Sequence, residues 1–131
     1  MPSTENFSGG ELMCKCGCEE NRMSMAFLNR LQEIREEYGK PMRVNSGFRC
    51  KNHDALQSSS PNAGNGPHTT GRAIDIGVSG SDALVLVELA RGYGCTGIGI
   101  KQSGPHASRF LHMDDLENGV SGPRPWIWSY R

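Results

Sequence analysis

The sequence predicts an α+β domain, and three observations carry that prediction. Helical periodicity begins at Ser24, with Phe27, Leu28, Leu31, Ile34 and Tyr38 recurring at three- and four-residue intervals. Four short stretches, Met42 to Ser46, Ala73 to Val78, Thr96 to Ile100 and Phe110 to Met113, read as strands between turn residues. The 131 residues suffice for one hydrophobic core, so a single domain spanning residues 1–131 is expected.

Taken in order, residues 1–11 lack periodicity and carry Ser8-Gly9-Gly10, which predicts a flexible arm with Phe7 and Leu12 as anchors. Cys14-Lys15-Cys16-Gly17-Cys18 places three sulfurs at alternate positions, on one side of an extended segment. A thiolate metal knuckle is conceivable there, but the usual CxxC spacing is missing. A disulfide to Cys50, or free buried thiols, is the favoured reading; the odd count of five leaves at least one thiol unpaired and the compartment open. Ser24 is an N-cap for the helix that follows, and Gly39 with Pro41 stops it. The helix is expected to cover a sheet while its charged face meets solvent.

After the strand at Met42 to Ser46, about one helical turn is expected around Ala55 and Leu56. Residues 58–67 have loop composition. Gly80-Ser81 opens a helix from Asp82 to Arg91, which its many apolar residues predict to be well buried. Residues 117–131 carry both tryptophans and are expected to pack back on the body, with Trp126 and Trp128 as anchors. Asp115 and Glu117 read as solvated charges.

Fourteen basic and fourteen acidic side chains balance, so no basic field is present to draw in a nucleic acid. No run approaches the roughly 18 apolar residues of a membrane span. The polar N-terminus has neither the basic nor the apolar region of a secretory signal, so action outside the cytoplasm is expected to need another route.

The chemistry gathers at Gly66-Pro67-His68-Thr69-Thr70-Gly71-Arg72-Ala73-Ile74-Asp75-Ile76 and at Phe110-Leu111-His112-Met113-Asp114. His68, Asp75 and His112 form a three-ligand set suited to a catalytic zinc with one open position. A seven-residue separation between His68 and Asp75 does not fit one helical face and suits a turn followed by a strand. Gly71 permits the tight backbone, and Ala73 leaves room beside the ion. Asp114, two residues beyond His112, points to the same face of its strand.

These motifs resemble the zinc D-Ala-D-Ala carboxypeptidase and peptidoglycan endopeptidase family, which shares its metal site with the hedgehog signalling domain. Its SxHxxGxAxD motif is matched by His68, Gly71, Ala73 and Asp75, with Gly66 in place of the serine. Val44-Asn45-Ser46-Gly47-Phe48-Arg49 resembles the family's SGYR-type segment, and Cys-Lys-Cys-Gly-Cys with the following helix looks like small, often phage-encoded members. The likeness covers roughly residues 7–116.

The resemblance implies a small antiparallel sheet flanked by helices, one Zn2+ held by His68, Asp75 and His112, and hydrolysis of peptidoglycan stem peptides or cross-links. It implies a monomer made in the cytoplasm and acting on the cell wall, in phage lysis, with the virion, or after export. Arg49 would hold a substrate carboxylate. Several branches place an acidic base three residues before the last histidine, where Arg109 stands here, so Asp114 is expected as general base. Gly66 removes a hydroxyl that anchors a substrate terminus, which favours endopeptidase over strict carboxypeptidase action. His53 is expected to line the groove and His106 to stabilise the oxyanion. The alternative is a non-catalytic binding module stabilised by the same metal.

Overall fold

The computed structural model describes residues 1–57 and 63–131. It is an α+β structure built on a five-stranded sheet: β1 (Arg43–Ser46), β2 (Ala73–Gly77), β3 (Gly97–Lys101), β4 (Phe110–Asp114) and β5 (Trp126–Ser129), in the order β1-β2-β4-β3-β5. The first three pairings across that order are antiparallel. The last, between β3 and β5, is parallel, so the sheet is antiparallel over four strands and mixed at its edge.

Alternation along the central strands divides the sheet into two unlike faces. Ile74, Ile76, Leu111, Met113 and Ile98 turn to one side and join the hydrophobic core with Phe27, Leu28, Leu31 and Ile34 of α2 (Met25–Tyr38). Helix α2 begins where Ser24 Oγ accepts from the Phe27 N–H at 3.3 Å and ends at Gly39, whose φ of 73° is left-handed. The other face carries Ala73, Asp75, His112, Asp114, Gly97 and Gly99. A Cβ at Gly97 would collide with Asp114 and Arg124, and one at Gly99 would lie 2.6 Å from Trp128 Nε1. The two glycines thus clear space above the sheet for a salt bridge and an aromatic wall.

Residues 1–11, expected to be a flexible arm, are docked. The short helix α1 (Gly9–Leu12) is closed by a Ser8–Glu11 capping box, and Thr4 Oγ1 donates to Gln32 on α2 at 2.8 Å. Phe7 and Leu12 are the anchors foreseen, both fully buried, and each contributes about 2 kcal/mol by burial. Capping and two large side chains outweigh the glycines that suggested disorder.

Helix α3 (Lys51–Gln57) is longer than the single turn expected; of the loop that follows, residues 58–62 lie outside the described residues. Helix α4 (Gly80–Gly92) is less buried than its composition suggested: Ala83, Leu86 and Ala90 face the core, while Leu84 and Val85 are exposed. It packs by one stripe only, against α2 and β4. The C-terminal segment pairs with β3 as strand β5. Trp126 is exposed rather than an anchor. Among the described residues no helix is long and apolar enough to cross a membrane.

Asp115 is not a solvated charge. Its side chain is 1% exposed and accepts from Arg72 Nε and Nη2 at 2.8 and 2.7 Å, with Arg30 3.3 Å away. Arg72 also donates to the N-cap Ser24, so this cluster ties the end of β4 to the start of α2. Both arginines keep solvent access, which limits the penalty of unpairing them. Asp115→Ala is expected to destabilise the fold by about 2 kcal/mol, read as a lower urea midpoint at unchanged m-value.

Candidate metal centre

Strand pairing assembles most of the centre. Asp75 on β2 sits directly opposite His112 on β4, and side chains so placed start about 5 Å apart. His68 arrives from a 3-10 turn, Pro67–Thr70, immediately before β2. Proline opens this turn, Thr69 and Thr70 hydroxyls cap it by donating to the Gly66 and Pro67 carbonyls, and Gly71 ends it at φ 75°. A Cβ at Gly71 would strike the Arg22 carbonyl, so a left-handed φ and a close approach both require glycine there.

His68 Nε2 lies 3.2 Å and His112 Nδ1 3.0 Å from the same oxygen, Asp75 Oδ1. The ligand atoms of the three residues fall within 4.8 Å of one another, and all three residues are buried. The partner of each remote ring nitrogen determines which nitrogen is free. His68 Nδ1 lies 2.8 Å from the Gly47 carbonyl, which only accepts, so this nitrogen carries hydrogen and Nε2 presents its lone pair to the centre. His112 Nε2 lies 2.7 Å from Asp114 Oδ2, which leaves Nδ1 for the centre. Two imidazole lone pairs and a carboxylate oxygen converging in a buried site match zinc's ligand chemistry, each histidine held by an outer acceptor.

Burial alone would raise the Asp75 pKa, but the electrostatic pull of the adjacent His68 ring and the hydrogen bond from His112 hold it below the usual carboxylate range. Burial alone would lower the His112 pKa, yet hydrogen bonds to Asp114 and Asp75 raise it to about 8 in the metal-free chain. Below that pH both ring nitrogens are protonated, and a metal must displace the Nδ1 proton. Zinc affinity at this centre is therefore expected to fall roughly tenfold per unit as pH drops below about 8, measurable by calorimetric titration across that range.

Asp114, expected as the general base, has a different place. It is fully buried, it bonds the His112 nitrogen remote from Asp75, and Arg124 grips both its oxygens at 2.9 Å. Burial would raise its pKa, but the His112 and Arg124 hydrogen bonds lower it to about 2. Alternation correctly put Asp114 on the His112 face; the imidazole itself separates it from the metal ligands. Its work is to orient His112.

A cavity of about 530 Å³ opens over the ligands. Arg49 lines it, with Nη2 3.4 Å from Asp75 Oδ2, Nη1 3.7 Å from Asp54 Oδ1, and Nε donating to Ser46 Oγ at 3.0 Å. His53 does not line it; its backbone N–H donates to Cys50 Sγ at 3.4 Å on α3. Nor does His106, which is exposed in a 3-10 turn (His106–Ser108) with Nδ1 3.2 Å from Ser79 Oγ. The chain before Phe110 bends away toward Val78 and Ser79 instead of extending β4 over the centre, and this removes His106 from an oxyanion role.

Four site residues escaped sequence reasoning. Asp54 accepts the Gly64 and Gly66 N–H groups at 2.9 and 3.0 Å, and a Cβ at Gly66 would lie 3.0 Å from its Oδ2. A buried carboxylate thus crowds the place of the missing serine. Arg124, Trp128 and Tyr130 reach the cavity from the C-terminal segment, Trp128 with its ring 5.0 Å from His112 and 5.1 Å from the Arg124 guanidinium. Burial pushes the Tyr130 phenol up to about 12, against the lowering effect of Trp128, so it stays a neutral donor. The alternating Trp-Ile-Trp-Ser run was a strand signal for this wall; Arg124, between two prolines, offered none.

Comparison with curated proteins gives no match. A scan against family models matches Peptidase M15 over residues 5–114, a span that holds the cysteine cluster, Arg49, the three ligands and Asp114 but not the Arg124–Tyr130 wall. With most of its length matched, and with His68, Asp75 and His112 grouped as a candidate metal-ligand set, the chain belongs to the peptidase M15 family.

Proposed function

We propose that the chain is a zinc-dependent peptidase that hydrolyses peptide bonds in the stem peptides or cross-links of bacterial peptidoglycan. The carrying observation is the convergence of His68 Nε2, Asp75 Oδ1 and His112 Nδ1, with both imidazole tautomers set toward one cavity. Zinc bound there supplies Lewis-acid polarisation of a scissile carbonyl and lowers the pKa of water. The chain's own residues supply orientation and hydrogen-bond donors. Asp114 and Gly47 hold the imidazoles in register, Arg49 offers N–H donors to a substrate carboxylate or carbonyl, and the neutral Tyr130 phenol adds a donor on the opposite wall. Asp54 beneath Gly66 sets a negative group where a free substrate terminus would be received, which supports endopeptidase action.

Mass spectrometry of muropeptides after incubation with the zinc-loaded chain tests this reading: a new amine terminus within the peptide moiety is expected, and intact muropeptides would contradict it. Arg49→Ala is expected to raise KM about tenfold or more when assayed at saturating zinc, as steady-state kinetics on the same peptides would show.

One observation favours a second reading. Asp114 is committed to His112 and Arg124, and Arg109 occupies the position where several branches carry their acidic base. A non-catalytic, zinc-stabilised cell-wall binding module would cosediment with insoluble peptidoglycan and release no product.

A further inference from the structure

We propose a second zinc site, a tetrathiolate made by Cys14, Cys16, Cys18 and Cys50, separate from the histidine centre. None of these cysteines is disulfide-bonded, so the expected bridge to Cys50 is not formed. Instead their four sulfurs lie within 4.8 Å of one another. The Cys14–Cys16, Cys14–Cys50 and Cys16–Cys50 sulfur separations are 3.5, 3.7 and 3.7 Å. A tetrahedral ZnS4 group with bonds of about 2.3 Å has sulfur–sulfur edges of about 3.8 Å. Three sulfurs therefore already stand at the corners of one face of such a tetrahedron, and Cys18 is close enough to supply the fourth corner.

The surrounding backbone is built for thiolates. The Cys50 N–H donates to Cys14 Sγ and the His53 N–H to Cys50 Sγ, each at 3.4 Å, the kind of outer hydrogen bond that steadies metal-bound sulfur. Gly17, at φ 97°, turns the chain between Cys16 and Cys18, and the Cys14 N–H closes the loop on the Glu20 carbonyl at 2.7 Å. The missing CxxC spacing is replaced by this glycine turn and by a fourth sulfur from 32 residues beyond Cys18. Glu20, Arg22 and Lys51 line the same hollow; Arg22 pairs with Glu20 at 3.2 Å, and Lys51 is left to offset the negative charge of a tetrathiolate.

The site's position gives it a purpose. It fastens the segment after α1 to the first turn of α3, beside Arg49, whose N–H donates to the His68 carbonyl at 3.2 Å. An ion here keeps the Arg49 backbone in place without touching substrate. With all four ligands from the protein, the site has no open position and is structural.

Metal analysis of the purified full-length chain is expected to find about two zinc ions, and about one in a His68→Ala/His112→Ala variant. Cobalt substitution of that variant should give thiolate-to-metal charge-transfer absorption. In the unaltered chain, Cys16 and Cys18, though exposed, should be alkylated at least about tenfold faster after chelation than before it. A folded double-histidine variant without zinc would overturn the proposal. So would unprotected alkylation of both cysteines before chelation, or an intact mass showing a disulfide within the cluster. These readouts need no peptidase activity, so they stand or fall apart from the proposed reaction.

Discussion

Asp75→Ala is expected to abolish zinc binding at the histidine centre and to lower peptidase activity by at least about three orders of magnitude. Asp75 Oδ1 is the atom both imidazoles approach, and the carboxylate brings the only negative charge among the three ligands. Without it, two neutral nitrogens remain, and the loss of affinity exceeds the ten- to hundredfold that removal of an outer partner costs. Zinc contributes several kcal/mol to stabilising charge in peptide hydrolysis, and each ~1.4 kcal/mol is tenfold in rate. The fold should survive, because alanine is no poorer a strand residue than aspartate and Arg49 keeps its pairing with Asp54. Metal analysis beside circular dichroism checks both halves.

Asp114→Ala is expected to do different damage: a stability loss of about 3–5 kcal/mol together with a ten- to hundredfold weaker zinc affinity. The stability loss arises because the Arg124 side chain, 3% exposed, would be left charged and buried without its carboxylate. The affinity loss arises because His112 Nε2 would lose the acceptor that fixes its tautomer. Asp114→Asn separates this role from that of a general base. A base removed by this change leaves zinc affinity intact and stops turnover, whereas an orienting carboxylate removed by it weakens zinc affinity. Denaturant unfolding and zinc titration of the two variants provide the comparison.

The grouping of His68, Asp75 and His112 was legible in the sequence because local geometry creates it. A proline- and glycine-bounded turn, then an alternating strand, then a second strand with His112 facing the same way, are all expressed within a few residues. Face, however, is all that alternation specifies. It located Asp114 beside His112 but could not say which ring nitrogen it meets, and that depends on Arg124 arriving from ten residues further on. The same limit explains His106, whose place follows from a bend over Val78 and Ser79 rather than from its distance to His112 in sequence. Cys50 joins Cys14 and Cys16 across more than thirty residues, so the knuckle looked incomplete until the fold closed it. Gly97 and Gly99 lie within the strand expected from Thr96 to Ile100, and their meaning appears only with the side chains that fill the room above them.

The most direct test is a crystal structure of the zinc-loaded chain with anomalous scattering measured at the zinc edge. The account predicts a peak bonded at about 2.0–2.2 Å to His68 Nε2, Asp75 Oδ1 and His112 Nδ1, with His112 Nε2 still bonded to Asp114. A fully loaded crystal with no peak among those three atoms, or with Asp114 as a ligand in place of Asp75, would contradict it.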